Sequence, residues 1–249
     1  MEQCPKLMKK KILAIIPCRS GSKSLKNKNI LKIFNKPLVY YSIFFAKKCK
    51  FIDRVIVSTD SKKYKKICEK YGAEVPFLRP KRISKDNSLD IDCFKHAISW
   101  LKVNYNYKPD IIIHLRPTSP LRKIKTLKKM IYKIKKKKID SIKSISPLRK
   151  SIYKTWFLKK DNIISPAVSN DTKFIEPYNA PRQKLKTSYF ENGAYNVFKS
   201  NLLKKNKISG KKIYGYITND DNDIDSINDF IEIKKKEKIF KNFKKYIEN

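Results

Sequence analysis

The chain has 249 residues and a mass of 29.4 kDa, which is the size of one or two domains. Hydrophobic residues make up 41% of the chain and aromatic residues 12%, so the composition excludes a disordered or collagen-like protein and predicts a folded globule. The net charge of +38 is typical of proteins that bind a polyanion, but only eight of the 60 basic residues are arginine, the residue that nucleic-acid surfaces favour, so the charge alone supports that role weakly.

Short apolar runs alternate with amphipathic stretches in the first half of the chain, which is the pattern of a parallel sheet with crossover helices. We therefore expect an α/β fold with a mostly parallel central sheet. In chain order, the sequence predicts a strand at 12–17, a helix at 37–49, a strand at 54–58, a helix at 61–71, a strand near 74–78, a loop through 80–86, a helix over about 90–103, a strand at 111–115, a helix at about 124–137 and a strand near 141–146.

The second half is less regular. Strands are predicted at 152–158, 195–198 and 214–217, and a helix at 227–247 closes the chain. The segment 165–186 contains three prolines, which predicts a long loop region. Such a loop either contributes to the functional site or forms an arm that contacts another subunit. We expect one domain over 1–249, with the less regular segment of about 147–190 as a candidate dimerisation arm.

The five cysteines include no CxxC pair and the chain has only two histidines, so neither a disulfide framework nor a zinc site is predicted. No hydrophobic stretch approaches the roughly 18 residues that are needed to cross a bilayer. We expect a soluble cytoplasmic protein with reduced thiols.

The loop after the first predicted strand has the composition of a phosphate site. Residues 19–29 contain four cationic side chains together with Gly21, several hydroxyls and two amides. A turn of this kind points backbone N–H groups at an anion, while Arg19, Lys23 and Lys28 neutralise its charge. The spacing is neither that of a Walker A loop nor GxGxxG. The alternative is an ordinary lysine-rich surface turn.

Two further loops carry polar groups beside predicted strands. The loop 115–122 has two prolines that would hold Thr118 and Ser119 in a fixed turn, which suits recognition as well as a plain capped connection. In the segment 182–195, Arg182 could clamp a carboxylate and Asn192-Gly193 marks a tight turn.

Asp223 and Asp225 lie just before the last predicted helix. Alternate residues of extended backbone project to the same side, so both carboxylates can face one hard cation, and Mg²⁺ bridging to phosphate oxygens is the best chemical fit. The alternatives are helix capping by Asp225 and a solvated acidic turn, since Asp220 and Asp221 are adjacent. Asp90-Ile-Asp92 is better explained as a first helical turn whose charge suits the helix dipole.

Taken together and in this order, the segments resemble the acylneuraminate cytidylyltransferases, also called CMP-sialic acid synthetases, over nearly the whole chain. The motifs that carry the resemblance are Ile15-Ile-Pro-Cys-Arg-Ser-Gly-Ser-Lys23 with Lys28-Asn29, Asn35-Lys-Pro-Leu38, Val57-Ser-Thr-Asp60, the loop 115–122, Arg182-Gln183 with Asn192-Gly-Ala194, and Asp223-Ile-Asp225. The resemblance implies a Rossmann-like three-layer α/β/α nucleotidyltransferase fold and a dimer. It also implies a Mg²⁺-dependent reaction in which CTP and a nine-carbon 2-keto sugar acid give a CMP-sugar and pyrophosphate.

The resemblance also implies a role for each site residue. Arg19, Ser22, Lys23 and Lys28 would hold the triphosphate, Asn29 would lie near the nucleoside, and Ser88 would contact the cytidine. The sugar acid and the rest of the substrate would meet Arg116, Pro117, Thr118, Arg182, Gln183 and Asn192. Asp223 and Asp225 would hold Mg²⁺, and Arg19, Lys28 and Asp225 are the expected catalytic residues.

The chain departs from the family pattern at several positions. Cys18, Ser24 and Lys26 stand where the family commonly has Ala, Gly and Pro, and Arg116 stands where members that use sialic acid often have Gln. The change at 116 leaves N-acetylneuraminic, legionaminic and pseudaminic acids open as the sugar. Two other functions remain alternatives, namely a basic nucleic-acid-binding protein and another DxD enzyme of sugar nucleotides such as a glycosyltransferase.

Overall fold

The structure is a computed structural model that describes residues 10–23, 25–169, 173–218 and 222–249. Its strands are β1 (Ile12–Pro17), β2 (Lys32–Ile33), β3 (Lys36–Pro37), β4 (Arg54–Ser58), β5 (Ile111–His114), β6 (Ser141–Pro147), β7 (Trp156–Leu158), β8 (Ile164–Pro166), β9 (Tyr189–Lys199) and β10 (Ile213–Ile217). Its helices are α1 (Leu38–Lys48), α2 (Lys62–Lys70), α3 (Asp90–Tyr105), α4 (Ile124–Lys136), α5 (Ile227–Lys234), α6 (Glu237–Lys241) and α7 (Phe243–Glu248).

Six strands form one sheet in the order β10-β6-β9-β5-β1-β4. β1 pairs in parallel with β4 and β5, and β6 pairs in parallel with β10, whereas β9 runs antiparallel between β5 and β6. The prediction of a mostly parallel sheet is therefore confirmed. Because the other five strands share one direction, their carboxyl ends meet at one edge of the sheet, and β9 begins at that same edge.

Helices cover both faces of the sheet. Along β1, Ile12, Ala14 and Ile16 pack on the side of α1, α4 and α7, whereas Leu13 and Ile15 pack on the side of α3. All five are at most 1% exposed, as expected of a strand between two helical layers. The predicted three-layer arrangement is confirmed, and the core keeps the strand ends in fixed positions.

The prediction of one closing helix over 227–247 is wrong, because the segment folds as the three short helices α5, α6 and α7. The breaks fall at Lys235, Lys236 and Asn242, which are polar and exposed. The change of direction lets Phe240 and Phe243 both contact the ring of Tyr41 in α1, each at a centroid distance of 4.9 Å. Tertiary packing thus overrides the helical periodicity.

Two predicted strands are also only partly formed. Near 74–78 the structure has a single bridge between Ile56 and Glu74, in which Val57 N donates to Glu74 O at 2.9 Å. The predicted strand at 152–158 divides into a 3₁₀ turn at Ile152–Lys154 and the three-residue β7.

The segment between β6 and β9 leaves the main sheet. β7 and β8 form a separate antiparallel hairpin, and 3₁₀ turns follow at Pro177–Asn179 and Arg182–Lys184. Apolar side chains of this hairpin are exposed, with Phe157 at 62% and Leu158 at 70%. The described part of the segment therefore exposes apolar side chains.

Cys18, Cys49, Cys68 and Cys93 are free thiols and all four are buried, while Cys4 lies outside the described residues. Among the helices described, none has the length and apolar character to cross a membrane.

Candidate functional site

The loops after β1 and β5 meet the segment before α5 at the edge where the parallel strands end. Nζ of Lys28, in the first loop, lies 3.2 Å from Oδ1 of Asp225. The N–H of Ile224 donates to the carbonyl of Thr118, in the second loop, at 3.0 Å. Three stretches that are far apart in the sequence therefore form one site.

The first loop is held against the end of β4. The backbone N–H and the hydroxyl of Ser20 both donate to the carboxylate of Asp60, each at 2.7 Å, and Cys18 N donates to Ser58 O at 2.8 Å. Asn29 crosses the loop and donates through Nδ2 to Arg19 O at 3.0 Å. Ser22 is half-buried in the same turn, and Ser24 lies outside the described residues. The described part of the loop is therefore held in place by its own hydrogen bonds and by the end of β4.

Lys28 is the most buried cation of this loop, at 8% exposure. It begins the 3₁₀ turn Lys28–Ile30, after Asn27 in the left-handed conformation with φ 57°. Its Nζ donates to the carbonyl of Ile224 at 3.0 Å as well as to the carboxylate of Asp225. A buried ammonium needs such partners, and these two direct its charge towards the acidic pair.

Asp223 and Asp225 flank Ile224, which is fully buried, whereas Asp223 is half-buried and Asp225 exposed. This alternation is what extended backbone predicts for carboxylates on a shared side. Ser119 donates its hydroxyl hydrogen to Oδ1 of Asp223 at 3.1 Å. The alternative that Asp225 caps the helix is wrong, because Ser226 is the N-cap of α5. Asp220 and Asp221 lie outside the described residues.

Gly193 brings the start of β9 close to these groups. A Cβ at this position would lie 3.1 Å from Oδ2 of Asp223 and 3.2 Å from Nη1 of Arg116. The φ of Gly193 is +71°, which also disfavours any other residue. The turn predicted at Asn192-Gly193 is in fact part of the long strand β9, and its glycine allows backbone, carboxylate and guanidinium to approach one another.

Arg122 connects the loop after β5 to β9 and to α1 through hydrogen bonds. It is fully buried, and its guanidinium donates to Ala194 O, Ser42 Oγ and Arg116 O at 2.5, 3.0 and 2.6 Å. The backbones that carry Arg116 and Gly193 are thereby fixed relative to each other and to α1.

A cavity of ≈ 180 Å³ opens beside the first loop. It is rich in cationic side chains. Its lining consists of Pro17, Arg19, Asn29, Arg79, Ile83, Lys85, Ser88, Leu89, Asp90, His114, Arg116, Pro117 and Thr118. The structure therefore brings six of the predicted substrate ligands to one cavity, namely Arg19, Asn29, Ser88, Arg116, Pro117 and Thr118.

Arg79 is a cavity residue that the sequence analysis missed. It is 6% exposed, and its Nε and Nη2 have no hydrogen-bond partner in the described part of the chain. Its backbone N–H donates to Thr59 O at 2.7 Å, beside the end of β4. The sequence offered one signal for it, namely that Arg79 directly follows the strand predicted at 74–78, as the other site loops follow predicted strands.

His114 and Asp90 both line the cavity. Nδ1 of His114 and Nη2 of Arg116 each lie 4.0 Å from Oδ2 of Asp90. Burial lowers the pKa of His114 to about 4, and the nearby Asp90 carboxylate opposes that shift. At neutral pH the imidazole is uncharged. Asp90 does begin α3, as predicted, and it also faces the cavity.

Three predicted substrate ligands lie elsewhere. Arg182 and Gln183 are exposed in a 3₁₀ turn and do not line the cavity. Asn192 is 2% exposed, and its amide is used within the sheet: Oδ1 accepts from Ser144 Oγ at 2.6 Å, and Nδ2 donates to Ser146 Oγ and Thr218 Oγ1, each at 2.7 Å. These contacts give Asn192 a structural role in joining β9 to β6 and to the end of β10.

Comparison with known proteins identifies relatives over most of the chain. A family model described as Cytidylyltransferase matches residues 13–241. An N-acylneuraminate cytidylyltransferase of Escherichia coli O18:K1:H7 is 44% identical over 115 residues, which are 46% of this chain and 26% of that protein. A CMP-N,N'-diacetyllegionaminic acid synthase of Legionella pneumophila subsp. pneumophila is 34% identical over 167 residues, 65% of this chain and 69% of that protein. The match thus spans about a quarter of the E. coli protein.

The fold also has counterparts among solved structures. A CMP:2-keto-3-deoxy-manno-octonic acid synthetase complexed with CTP aligns with a TM-score of 0.62 over 90% of this chain and 97% of that chain, at 13% identity. At this identity the likeness concerns the fold alone, and it confirms the predicted Rossmann-like α/β architecture.

Proposed function

The chain belongs to the cytidylyltransferase family, and on that premise we propose that it transfers CMP from CTP to a nonulosonic, sialic-acid-like sugar acid and releases pyrophosphate. The observation that carries the proposal is the contact between Lys28 and Asp225, at 3.2 Å. It joins a loop suited to phosphate with a pair of carboxylates suited to a metal ion, which is the combination that a nucleotidyl transfer requires.

The polyphosphate would lie along the first loop. Arg19, Lys23 and the hydroxyl of Ser22 would bind its oxygens, since guanidinium and ammonium groups make charge-assisted hydrogen bonds to phosphate. The adjoining cavity of ≈ 180 Å³ is smaller than the roughly 300–1,000 Å³ of pockets that enclose a whole ligand, so we propose that it takes only the nucleoside part. Asn29, Ser88 and the unpartnered nitrogens of Arg79 would face the nucleoside there.

The acidic pair fits Mg²⁺. No group of three or more metal-ligating side chains occurs in the described residues, and Mg²⁺ does not need one, because it retains waters and binds one or two carboxylates together with substrate phosphates. Asp223 and Asp225 would be those carboxylates. A bound Mg²⁺ would neutralise charge on the phosphate oxygens and orient them.

The residues of the chain then account for the transfer itself. The anomeric hydroxyl oxygen of the sugar acid attacks the α-phosphorus, the bond from that phosphorus to the bridging oxygen breaks, and pyrophosphate leaves. Arg19 and Lys28 stabilise the negative charge that develops on the leaving group. One carboxylate of the pair, that of Asp223 or of Asp225, favours removal of the proton from the attacking hydroxyl.

The sugar acid would bind beside Arg116, whose guanidinium lies next to Gly193, as does the carboxylate of Asp223. An arginine there offers donors in a fixed geometry to a carboxylate or to an acylamino carbonyl. Unlike glutamine, it also carries a positive charge. Arg182 and Gln183 would reach the sugar only from the exposed segment that holds them. We propose an acid of the N-acetylneuraminic, legionaminic or pseudaminic type.

We also propose a homodimer and a cytoplasmic location. The exposed apolar side chains of the β7–β8 hairpin are the surface that a second copy would cover, and the hairpin belongs to the segment predicted as an arm. The four described cysteines are free, which fits the reducing cytoplasm.

The test is a product analysis. Purified protein is incubated with CTP, Mg²⁺ and each of the three acids, and we expect pyrophosphate together with a product of the mass of a CMP-sugar for at least one acid. The acid with the highest kcat/KM identifies the substrate. Absence of pyrophosphate with all three, in protein shown to be folded, would contradict the proposal. Transfer from a completed sugar nucleotide would indicate a glycosyltransferase instead.

A further inference from the structure

Asp86 forms ion pairs with Arg19 and Lys23, two of the cations of the proposed phosphate site. Its Oδ1 lies 2.7 Å from Nη1 of Arg19, and its Oδ2 lies 3.0 Å from Nζ of Lys23. One carboxylate thus bridges two positive side chains with one oxygen for each. Two neighbouring oxygens of a polyphosphate would make the same pair of contacts.

The position of Asp86 allows these contacts to be exchanged. It lies in the loop before α3 that also holds Ser88, whose hydroxyl accepts from Lys85 N at 2.9 Å. The side chains of Arg19, Lys23 and Asp86 are 31%, 84% and 38% exposed, so the ion pairs are accessible to water and are individually weak. The hydrogen bonds from Lys23 and Arg19 lower the pKa of Asp86, which therefore remains charged at neutral pH.

We propose that Asp86 is an internal competitor of the polyphosphate. Its carboxylate forms ion pairs with Arg19 and Lys23 in the free protein, and these ion pairs break when phosphate oxygens of CTP or pyrophosphate bind. This inference rests on the proposed function of the first loop. Because the incoming anion must break two ion pairs and is repelled by the carboxylate, Asp86 weakens polyphosphate binding and speeds the release of pyrophosphate.

The first test measures binding without turnover. Asp86→Asn keeps the shape of the side chain and removes its charge, and we expect the Kd of magnesium pyrophosphate, measured by isothermal titration calorimetry, to fall by about two- to fivefold. Asp92→Asn is the matched control, because it makes the same change of charge in the first turn of α3 and its carboxylate is no ion-pair partner of either cation in the described structure. Its Kd should stay at the wild-type value.

The second test shows whether the effect passes through the cations. In the Lys23→Ala protein, Asp86→Asn should tighten binding by clearly less than it does in the wild type, because one of its two ion pairs is already absent. An unchanged or higher Kd in Asp86→Asn, or an equal gain in Asp92→Asn, would overturn the inference while leaving the proposed function intact. A wild-type protein that bound neither pyrophosphate nor CTP would overturn both.

Discussion

Nζ of Lys28 lies 3.2 Å from Oδ1 of Asp225, although the two residues are 197 positions apart in the chain. The contact forms because β1, which precedes the loop of Lys28, and β10, which precedes the segment of Asp225, both end at the same edge of the sheet. A polyanion bound to the first loop would therefore lie beside the carboxylates of Asp223 and Asp225.

Asp225→Asn should lower turnover by at least roughly 100-fold, because it removes a charge that the proposed site uses in the transition state. The side chain of Asp225 is 78% exposed, so circular dichroism should show an unchanged fold. Pyrophosphate release at saturating CTP and sugar acid is the measurement. Asp161→Asn, in the turn of the β7–β8 hairpin, is the control and should retain wild-type turnover. Full activity of Asp225→Asn would make the catalytic assignment wrong.

Gly193→Ala should reduce kcat/KM by more than its loss of stability explains. The new Cβ would lie 3.1 Å from Oδ2 of Asp223 and would displace that carboxylate. Gly72→Ala is the matched control, since Gly72 also has a positive φ, of +81°, but the three atoms nearest to its added Cβ belong to the flexible side chain of Lys47. Both variants should lose about 1–2 kcal/mol of unfolding free energy through backbone strain, and only Gly193→Ala should lose activity. Equal activities would exclude a role of Gly193 in placing Asp223.

Arg122→Lys should destabilise the protein by about 2–4 kcal/mol, as measured by urea denaturation. A lysine cannot donate to Ala194 O, Ser42 Oγ and Arg116 O from one planar group, so buried acceptors would lose their partners. Arg149→Lys, at an exposed position, should change the unfolding free energy by less than about 0.5 kcal/mol. A loss below about 1 kcal/mol at Arg122 would show that its hydrogen bonds are replaceable.

The stability of the protein should decrease in acid partly through His114. Burial lowers the pKa of this histidine to about 4 in the folded state, whereas the unfolded chain has the ordinary value of about 6.5. Between these values the unfolded state binds a proton that the folded state does not, so the contribution is complete above about pH 6.5 and is lost as the pH falls to about 4. The loss amounts to about 3 kcal/mol.

His114→Leu should therefore flatten the curve of unfolding free energy against pH between about 4 and 6.5. The slope is the readout, because the variant can also change stability at every pH. His96→Gln provides the comparison, since burial lowers the pKa of His96 too but its ring is less buried, and the slope should change less. A slope unaltered by His114→Leu would contradict the assignment.

Phe157→Ser should shift the proposed dimer to the monomer. Phe157 is 62% exposed in β7, in the apolar surface that a second copy would cover. Tyr132→Ser on α4 is the matched control, since this aromatic residue is 63% exposed but lies outside the hairpin. Light scattering after size-exclusion chromatography measures both masses. A wild-type protein that is monomeric at all concentrations would contradict the dimer.

Regular elements with a strong local pattern were predicted well. The bounds of β1 and β4 agree with the prediction, and α1 differs by one residue at each end, because largely buried strands and a helix with regularly spaced apolar residues are visible in the order of apolar side chains. The predictions were wrong or only partly right for the segments 74–78, 152–158 and 227–247. The structure of these segments depends on pairing partners and on packing. Those partners, such as Tyr41 for Phe240 and Phe243, are distant in the sequence.

The candidate site was predicted in part. Arg19, Lys28, Arg116 and the acidic pair lie together, whereas Arg79 and Asp86 were overlooked because neither belongs to a motif with a characteristic spacing. The amide of Asn192 is engaged in the sheet, because β9 carries it inward between β5 and β6.

The amino-acid order by itself determined the alternation of strands and helices and the chemistry of each loop, because periodicity and side-chain type are local properties. Tertiary structure alone decided which charges face one another. The direction of the strands placed five carboxyl ends at one edge of the sheet, and only there do Lys28 and Asp225, or Arg19 and Asp86, come within the few ångströms over which ion pairs form. Such distances depend on chain topology, to which local sequence patterns are insensitive.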